Sequence, residues 1–202
     1  MSLSQLAMNI RLGVGAVVLA ATTIVGATSV HATDPVAVGS EAPDFNALTP
    51  DQDKVNLATY AEAKVVVLVF TGNSCPVAQA YEPRFIQFVK DYEEKGVKLV
   101  AINCNSNENV ESLQRRIADI GINYDYVSDT TGRAARDYGA SVTPQIFVLD
   151  GDRKVAFTGP FDDDMAKPGV NYVRDAVNAL LDGREPAVTS ARPFGCRIKL
   201  AR

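Results

Sequence analysis

The chain has 202 residues, 47% apolar and 22% charged, with 20 basic against 24 acidic side chains. This composition excludes a disordered or fibrous chain, and the lack of any Lys/Arg-rich stretch excludes a nucleic-acid footprint. The length suits one domain.

Residues 1–32 differ in kind from the rest. Arg11 is their only charge, and an apolar, small-residue run from Leu12 to Val30 follows it. Val30-His31-Ala32 then precedes polar Thr33-Asp34-Pro35, which completes the three-part pattern of a secretory signal. The expected location is exported, periplasmic or extracellular. A retained anchor is the alternative, and membrane contact is expected only in that case. Residues 33–202 then form the mature domain, with 19 basic and 24 acidic residues and a net charge of −5. The only histidine, His31, falls in the signal, so Ser-His-Asp and Cys-His catalysis and imidazole-bound metals are excluded from the mature chain. Cys75, Cys104 and Cys196 all remain, an odd count that leaves at least one without an intramolecular partner. The chemistry expected is cysteine chemistry, with no metal and no cofactor.

Along the mature chain, Val55-Asn56-Leu57 shows a brief apolar alternation. Val65–Phe70 is a continuous β-branched run that predicts a strand buried on both faces. After Thr71-Gly-Asn-Ser74 comes Cys75-Pro76. Tyr81, Phe85, Phe88, Val89 and Tyr92 then recur at helical spacing up to Gly96, past Pro83. Val97–Ile102 predicts a second buried strand. Val110, Leu113, Ile117 and Ile120 line a helix closed by Gly121. A short strand is expected at Tyr124–Val127, a helix around Arg133–Tyr138 and a strand at Ile146–Leu149. Asp150-Gly151 then turns into a strand at Lys154–Thr158. A final helix spans Asn171–Leu181, and the chain from Pro186 onward reads as an irregular, flexible tail. The alternation predicts one α/β domain with a central mixed β-sheet flanked by helices.

Cys75-Pro76 sits at a strand-to-helix junction, where unsatisfied backbone N–H groups and the helix dipole favour a thiolate. Thr143-Pro144 stands directly before a strand, a setting in which the peptide bond is cis in many proteins. Gly39-Ser-Glu-Ala42-Pro43-Asp44-Phe45, Asp129-Thr-Thr-Gly132, Tyr138-Gly139 through Thr143-Pro144 to Asp150, and Pro193-Phe-Gly195-Cys196-Arg-Ile198-Lys199 complete a distinctive set. Together these resemble the peroxiredoxin-like (redoxin) subgroup of the thioredoxin superfamily. The resemblance implies a thioredoxin-like fold, here with an N-terminal extension and a C-terminal tail. It also implies a thiol oxidoreductase of antioxidant type that reduces a peroxide or a disulfide, with an external thiol as reductant.

The chain departs from that pattern in two places. Ala78 stands where a C-x-x-C protein has its second thiol, and Leu68 and Gly72 stand where a peroxiredoxin has the Pro and Thr of its peroxide pocket. Cys75 is therefore the expected nucleophile, with Thr71, Ser74, Pro76, Thr143 and Pro144 forming the loops around it. Cys104 ends a buried strand on the same sheet edge, and Cys196 lies in the tail. Both are candidate resolving or disulfide partners, with a Cys196 bridge favoured for the freedom of the tail, either to Cys75 during turnover or to Cys104 as a structural staple. Arg84 reads as a solvated helix face and Asp162-Asp163-Asp164 as a solvated loop. A redox-silent thioredoxin-fold binding module is the alternative function.

Overall fold

The computed structural model describes residues 35–200. The signal-like segment at 1–32 lies outside them. In chain order the strands and helices are β1 (Ala47–Leu48), β2 (Lys54–Val55), β3 (Val65–Thr71), α1 (Pro76–Tyr92), β4 (Val97–Asn103), α2 (Val110–Ile120) and β5 (Asp125–Ser128). These are followed by α3 (Arg133–Tyr138), β6 (Val142–Thr143), β7 (Gln145–Leu149), β8 (Val155–Gly159), α4 (Tyr172–Leu181) and β9 (Cys196–Arg197).

The β-branched run at Val65 forms an interior strand, between β4 and β7, of a seven-stranded sheet ordered β2-β1-β5-β4-β3-β7-β8. β3, β4 and β5 run parallel, while β7 and β8 return antiparallel. Alternation within β3 sends Val66, Leu68 and Phe70 to one face and Val65, Val67 and Val69 to the other. The first face packs against α3 and the Phe45–Tyr60 segment, with Tyr138 and Phe147 filling it. The second packs against α1, α2 and α4 through Phe85, Phe88, Leu113 and Val177. Both faces are dry, which is why the strand reads as one apolar run rather than an alternation. No helix among the described residues is long and apolar enough to cross a membrane.

Three details differ from the sequence reading. The alternation at Val55–Leu57 is not an extended strand. β2 stops at Val55, and Asn56 caps a single turn at Leu57–Tyr60, its side chain accepting from the Thr59 N–H at 3.2 Å. The strand expected at Tyr124 starts one residue later, at Asp125. The tail is largely irregular, as expected, but it is docked rather than free. Ser190 bridges Thr158, and β9 pairs antiparallel with β6, setting Cys196 opposite Thr143 and Arg197 opposite Val142. β6 is too short to join the large sheet and presents unpaired backbone groups, which the tail satisfies.

Candidate functional site

Parallel β3 and β4 end level, with Thr71 opposite Asn103, so the loops that follow them meet at one sheet edge. From β3 the chain turns through Gly72-Asn73-Ser74 into α1. Cys75 is the residue that caps this helix, its sulfur accepting from the Ala78 N–H at 3.3 Å, and Pro76 takes the first helical position. A third segment reaches the same edge. The Thr143-Pro144 peptide bond is cis, and the Cys75 thiol donates to the Thr143 carbonyl at 3.1 Å. β9 supplies the fourth, and the Thr143 hydroxyl donates to the Cys196 carbonyl at 3.3 Å.

The structure thus brings Cys75, Thr143, Pro144 and Cys196 together, with Ser74 and Pro76 on either side of Cys75. Thr71 is buried at the end of β3. Burial disfavours a charged Cys75, but the Cys196 thiol, Thr143 and the N–H groups of Ala78 and Cys196 hydrogen-bond its sulfur and prevail. The Cys75 thiol is therefore held below its ordinary value. Its hydrogen-bonded neighbour is shifted the other way, the bond to Cys75 and burial together pushing Cys196 up. Of the two thiols, these opposite shifts favour Cys75 as the thiolate.

Cys75 is only 2% exposed. Local sequence does not reveal this burial, since β9 comes from the far end of the chain to lie against the Thr143 segment beside the thiol. Cys104 sits elsewhere. It packs with Val100, Ile102, Ala134 and Ala135 on the α3 face, and burial and the Asp129 carboxylate push its thiol up. The groups that act on it do not include any that act on Cys75.

Two other expectations change on contact with the structure. Arg84 is not a solvated residue: it donates to the Asp162 carboxylate at 2.5 Å and to the carbonyls of Asp164 and Met165. Asp162 is 1% exposed and also accepts from the Tyr81 hydroxyl at 2.6 Å. Asp163 and Asp164 remain exposed, as expected of a solvated loop, and accept from backbone N–H groups at Gly169, Val170, Ala166 and Lys167, so that these two tie their own loop.

The sequence reading passed over one group at the site. Glu108, between β4 and α2, is a buried carboxylate that faces donors: the N–H groups of Asn73 (2.7 Å) and Ser74 (3.0 Å), the Ser74 hydroxyl (2.6 Å), and the amides of Asn103 (2.5 Å) and Asn105 (3.2 Å). Burial opposes its charge, yet the bonds from Ser74, Asn103 and Asn73 hold the carboxyl below its usual range. The available signal was the Asn-rich run Asn103–Asn109 at the end of a strand parallel to β3.

Residues 38–158 match the AhpC/TSA family. The chain belongs to this family. Its fold is thioredoxin-like, as the sequence resemblance implied. A hypothetical protein from Sinorhizobium meliloti 1021 superposes with a TM-score of 0.76 at 29% identity, covering 83% of this chain and 97% of that one. The thiol-disulfide oxidoreductase ResA of Halalkalibacterium halodurans is 25% identical over 115 residues, 56% of this chain. The chain spans just under two thirds of that relative, 64% of its length. A thiol peroxidase of Streptococcus parasanguinis is 23% identical over 149 residues, 71% of this chain and 89% of the relative. This AhpC/TSA chain therefore stands among thiol-disulfide oxidoreductase-like and peroxidase-like proteins.

Proposed function

We propose that this chain is an exported thiol oxidoreductase in which Cys75 attacks and Cys196 resolves. The observation that carries the reading is that Thr143 holds both cysteines at one place: its carbonyl accepts from the Cys75 thiol at 3.1 Å, and it stands opposite Cys196 where β9 lies against β6. With a disulfide R–S–S–R′, the Cys75 thiolate forms Cys75–S–S–R and expels R′–S⁻, which takes a proton. The Cys196 sulfur, having given up its proton, then attacks Cys75, forms the Cys75–Cys196 disulfide and releases R–S⁻. With a peroxide, the thiolate takes the terminal oxygen to give a sulfenic acid and an alcohol or water. Cys196 condenses with that acid and a second water leaves. Both routes pass two electrons to the substrate and end in the same disulfide. An external thiol reductant returns the pair to the dithiol.

Each residue has a role in this scheme. The N–H groups of Ala78 and Cys196 stabilise the thiolate, and the Thr143 hydroxyl, bonded to the Cys196 carbonyl, holds β9 beside it. Thr71, Ser74 and Pro76 fix the loop and helix start that present Cys75, and Pro144 fixes the turn that presents Thr143. Export rests on the pattern of residues 1–32, with cleavage near Thr33.

The 2% exposure of Cys75 favours one other reading, a redox-silent binding module. Non-reducing peptide mapping after treatment with hydrogen peroxide or with a disulfide such as oxidised glutathione separates the two. The expected product is a Cys75–Cys196 peptide. In Cys196→Ser the reaction stops at a Cys75 mixed disulfide or a trappable sulfenic acid. A Cys75 that stays reduced with both oxidants supports the binding module.

A further inference from the structure

Two segments that belong to different ends of the chain must stay in register for Cys75 and Cys196 to meet, and β9 contributes only two residues to that register. A second link lies below it. Asn105 is buried between the Cys75 loop and the tail. Its amide nitrogen donates to Glu108 Oε1 at 3.2 Å, and its amide oxygen accepts from the Lys199 N–H at 2.9 Å. The side-chain orientation is forced, since Lys199 offers a donor and Glu108 an acceptor. The same Glu108 oxygen accepts from both the N–H and the hydroxyl of Ser74, the residue before Cys75. A path of hydrogen bonds thus runs from Ser74 through Glu108 and Asn105 to Lys199, three residues after Cys196.

The surroundings are fitted to this path. A Cβ at Gly72 would lie 2.1 Å from the Asn105 amide nitrogen, so the loop preceding Cys75 admits Asn105 only because residue 72 lacks a side chain. Asn105 is itself held at both ends. Its N–H donates to the Asn103 side chain at 3.0 Å, and its carbonyl accepts from the Glu108 N–H at 3.2 Å. Ser106 adds two bonds to the Lys199 carbonyl, from its N–H at 2.8 Å and its hydroxyl at 2.9 Å.

We propose that Asn105 is a positioning residue of the thiol pair: its amide bridges Glu108 beneath the Cys75 loop to Lys199 in the tail and so keeps Cys196 over Cys75. It touches neither sulfur and acts through Glu108 and the tail. The inference rests on the proposed dithiol reading for its consequence but not for its geometry.

Two substitutions test it. Asn105→Ala removes both ends of the bridge. Asn105→Asp keeps the size and the acceptor for Lys199 but turns the donor facing Glu108 into a second carboxylate, so it breaks that limb and adds like-charge repulsion. Asn109→Ala is the control. Asn109 caps α2, its side chain accepting from the Ser112 N–H at 3.0 Å, and has no part in the path, so its loss lowers stability without touching the tail.

The first measurement is the rate at which iodoacetamide labels Cys75 in the fully reduced, folded protein. The second is the equilibrium of the Cys75–Cys196 disulfide in glutathione buffers. Both Asn105 variants should label Cys75 about tenfold faster, because each breaks the bridge at the Glu108 limb at least, a loss on the scale of one hydrogen bond. Both should shift the disulfide equilibrium toward the dithiol by a similar factor, while Asn109→Ala leaves both quantities at the wild-type value. Unchanged labelling in the Asn105 variants overturns the proposal, and so does equal acceleration in Asn109→Ala. If the wild-type protein forms no Cys75–Cys196 disulfide, the dithiol reading fails, and the labelling rates alone decide the role of Asn105.

Discussion

Replacing Gly195 by Ala tests how Cys75 is covered. Gly195 directly precedes β9 and has φ 151°, a conformation that L side chains rarely adopt. A Cβ there would fall 2.0 Å from the Thr143 carbonyl oxygen and 2.7 Å from its carbon. Neither is the far end of a flexible side chain: both are backbone atoms of the buried Thr143. The tail must therefore move. Two bonds are lost with the register, Thr143 hydroxyl to Cys196 carbonyl at 3.3 Å and Ile198 N–H to Ser141 carbonyl at 3.0 Å. At about 1 kcal/mol each, with about 1 kcal/mol of backbone strain added, the closed tail loses about 3 kcal/mol. At 1.36 kcal/mol per tenfold, that is about a 100-fold gain in the open form. The assay is alkylation of reduced Cys75 at neutral pH, followed by peptide mass spectrometry. Labelling should accelerate by about that factor. The unfolding midpoint should fall by less, since the tail is not part of the seven-stranded sheet. A folded Gly195→Ala protein whose Cys75 labels at the wild-type rate would show that the tail is not what shields the thiol.

Two more expectations concern stability. Glu108 has a depressed folded value, so its contribution is complete above the ordinary glutamate range, about 4.3, and is lost as pH falls through the folded value. Urea midpoints of wild type and Glu108→Gln should thus converge as the solution is acidified, and a constant gap across that range would contradict the assignment. Asp162→Ala removes the partner of Arg84 and orphans the Tyr81 hydroxyl, which should cost about 2–4 kcal/mol by urea denaturation. A loss below about 1 kcal/mol, the scale of an exposed pair, would mean that this ion pair does little for the fold.

The features legible in the sequence are those that depend on neighbours along the chain. The continuous run Val65–Phe70 reports burial on both faces, the spacing of Tyr81, Phe85, Phe88 and Tyr92 reports one face of α1, and Gly121 reports where α2 must stop. Cys75 followed by Pro76 was enough to place a thiol at a helix start, because both the cap and the first-turn proline are local signals. The family resemblance rested on such local motifs as well.

What the tertiary structure decided depends on residues far apart in sequence. The freedom of a tail favours Cys196 over Cys104 as the partner proposed for Cys75, and strand direction and side add a spatial reason that no local signal carries. Cys104 emerges from β4 onto the α3 face, while β9 carries Cys196 back 121 positions to lie against Thr143 and Cys75. A two-residue strand has no periodicity to detect, and its pairing is set by which edge is left unpaired after the main sheet has formed. Glu108 was invisible for the same reason. A lone acid between asparagines reads as a solvated turn, and only the level ends of β3 and β4 surround it with five donors from two loops. Arg84 and Asp162 pair across 78 positions, so neither could announce the other. Local chemistry placed a thiol at the start of α1, and long-range packing determined what lies around it.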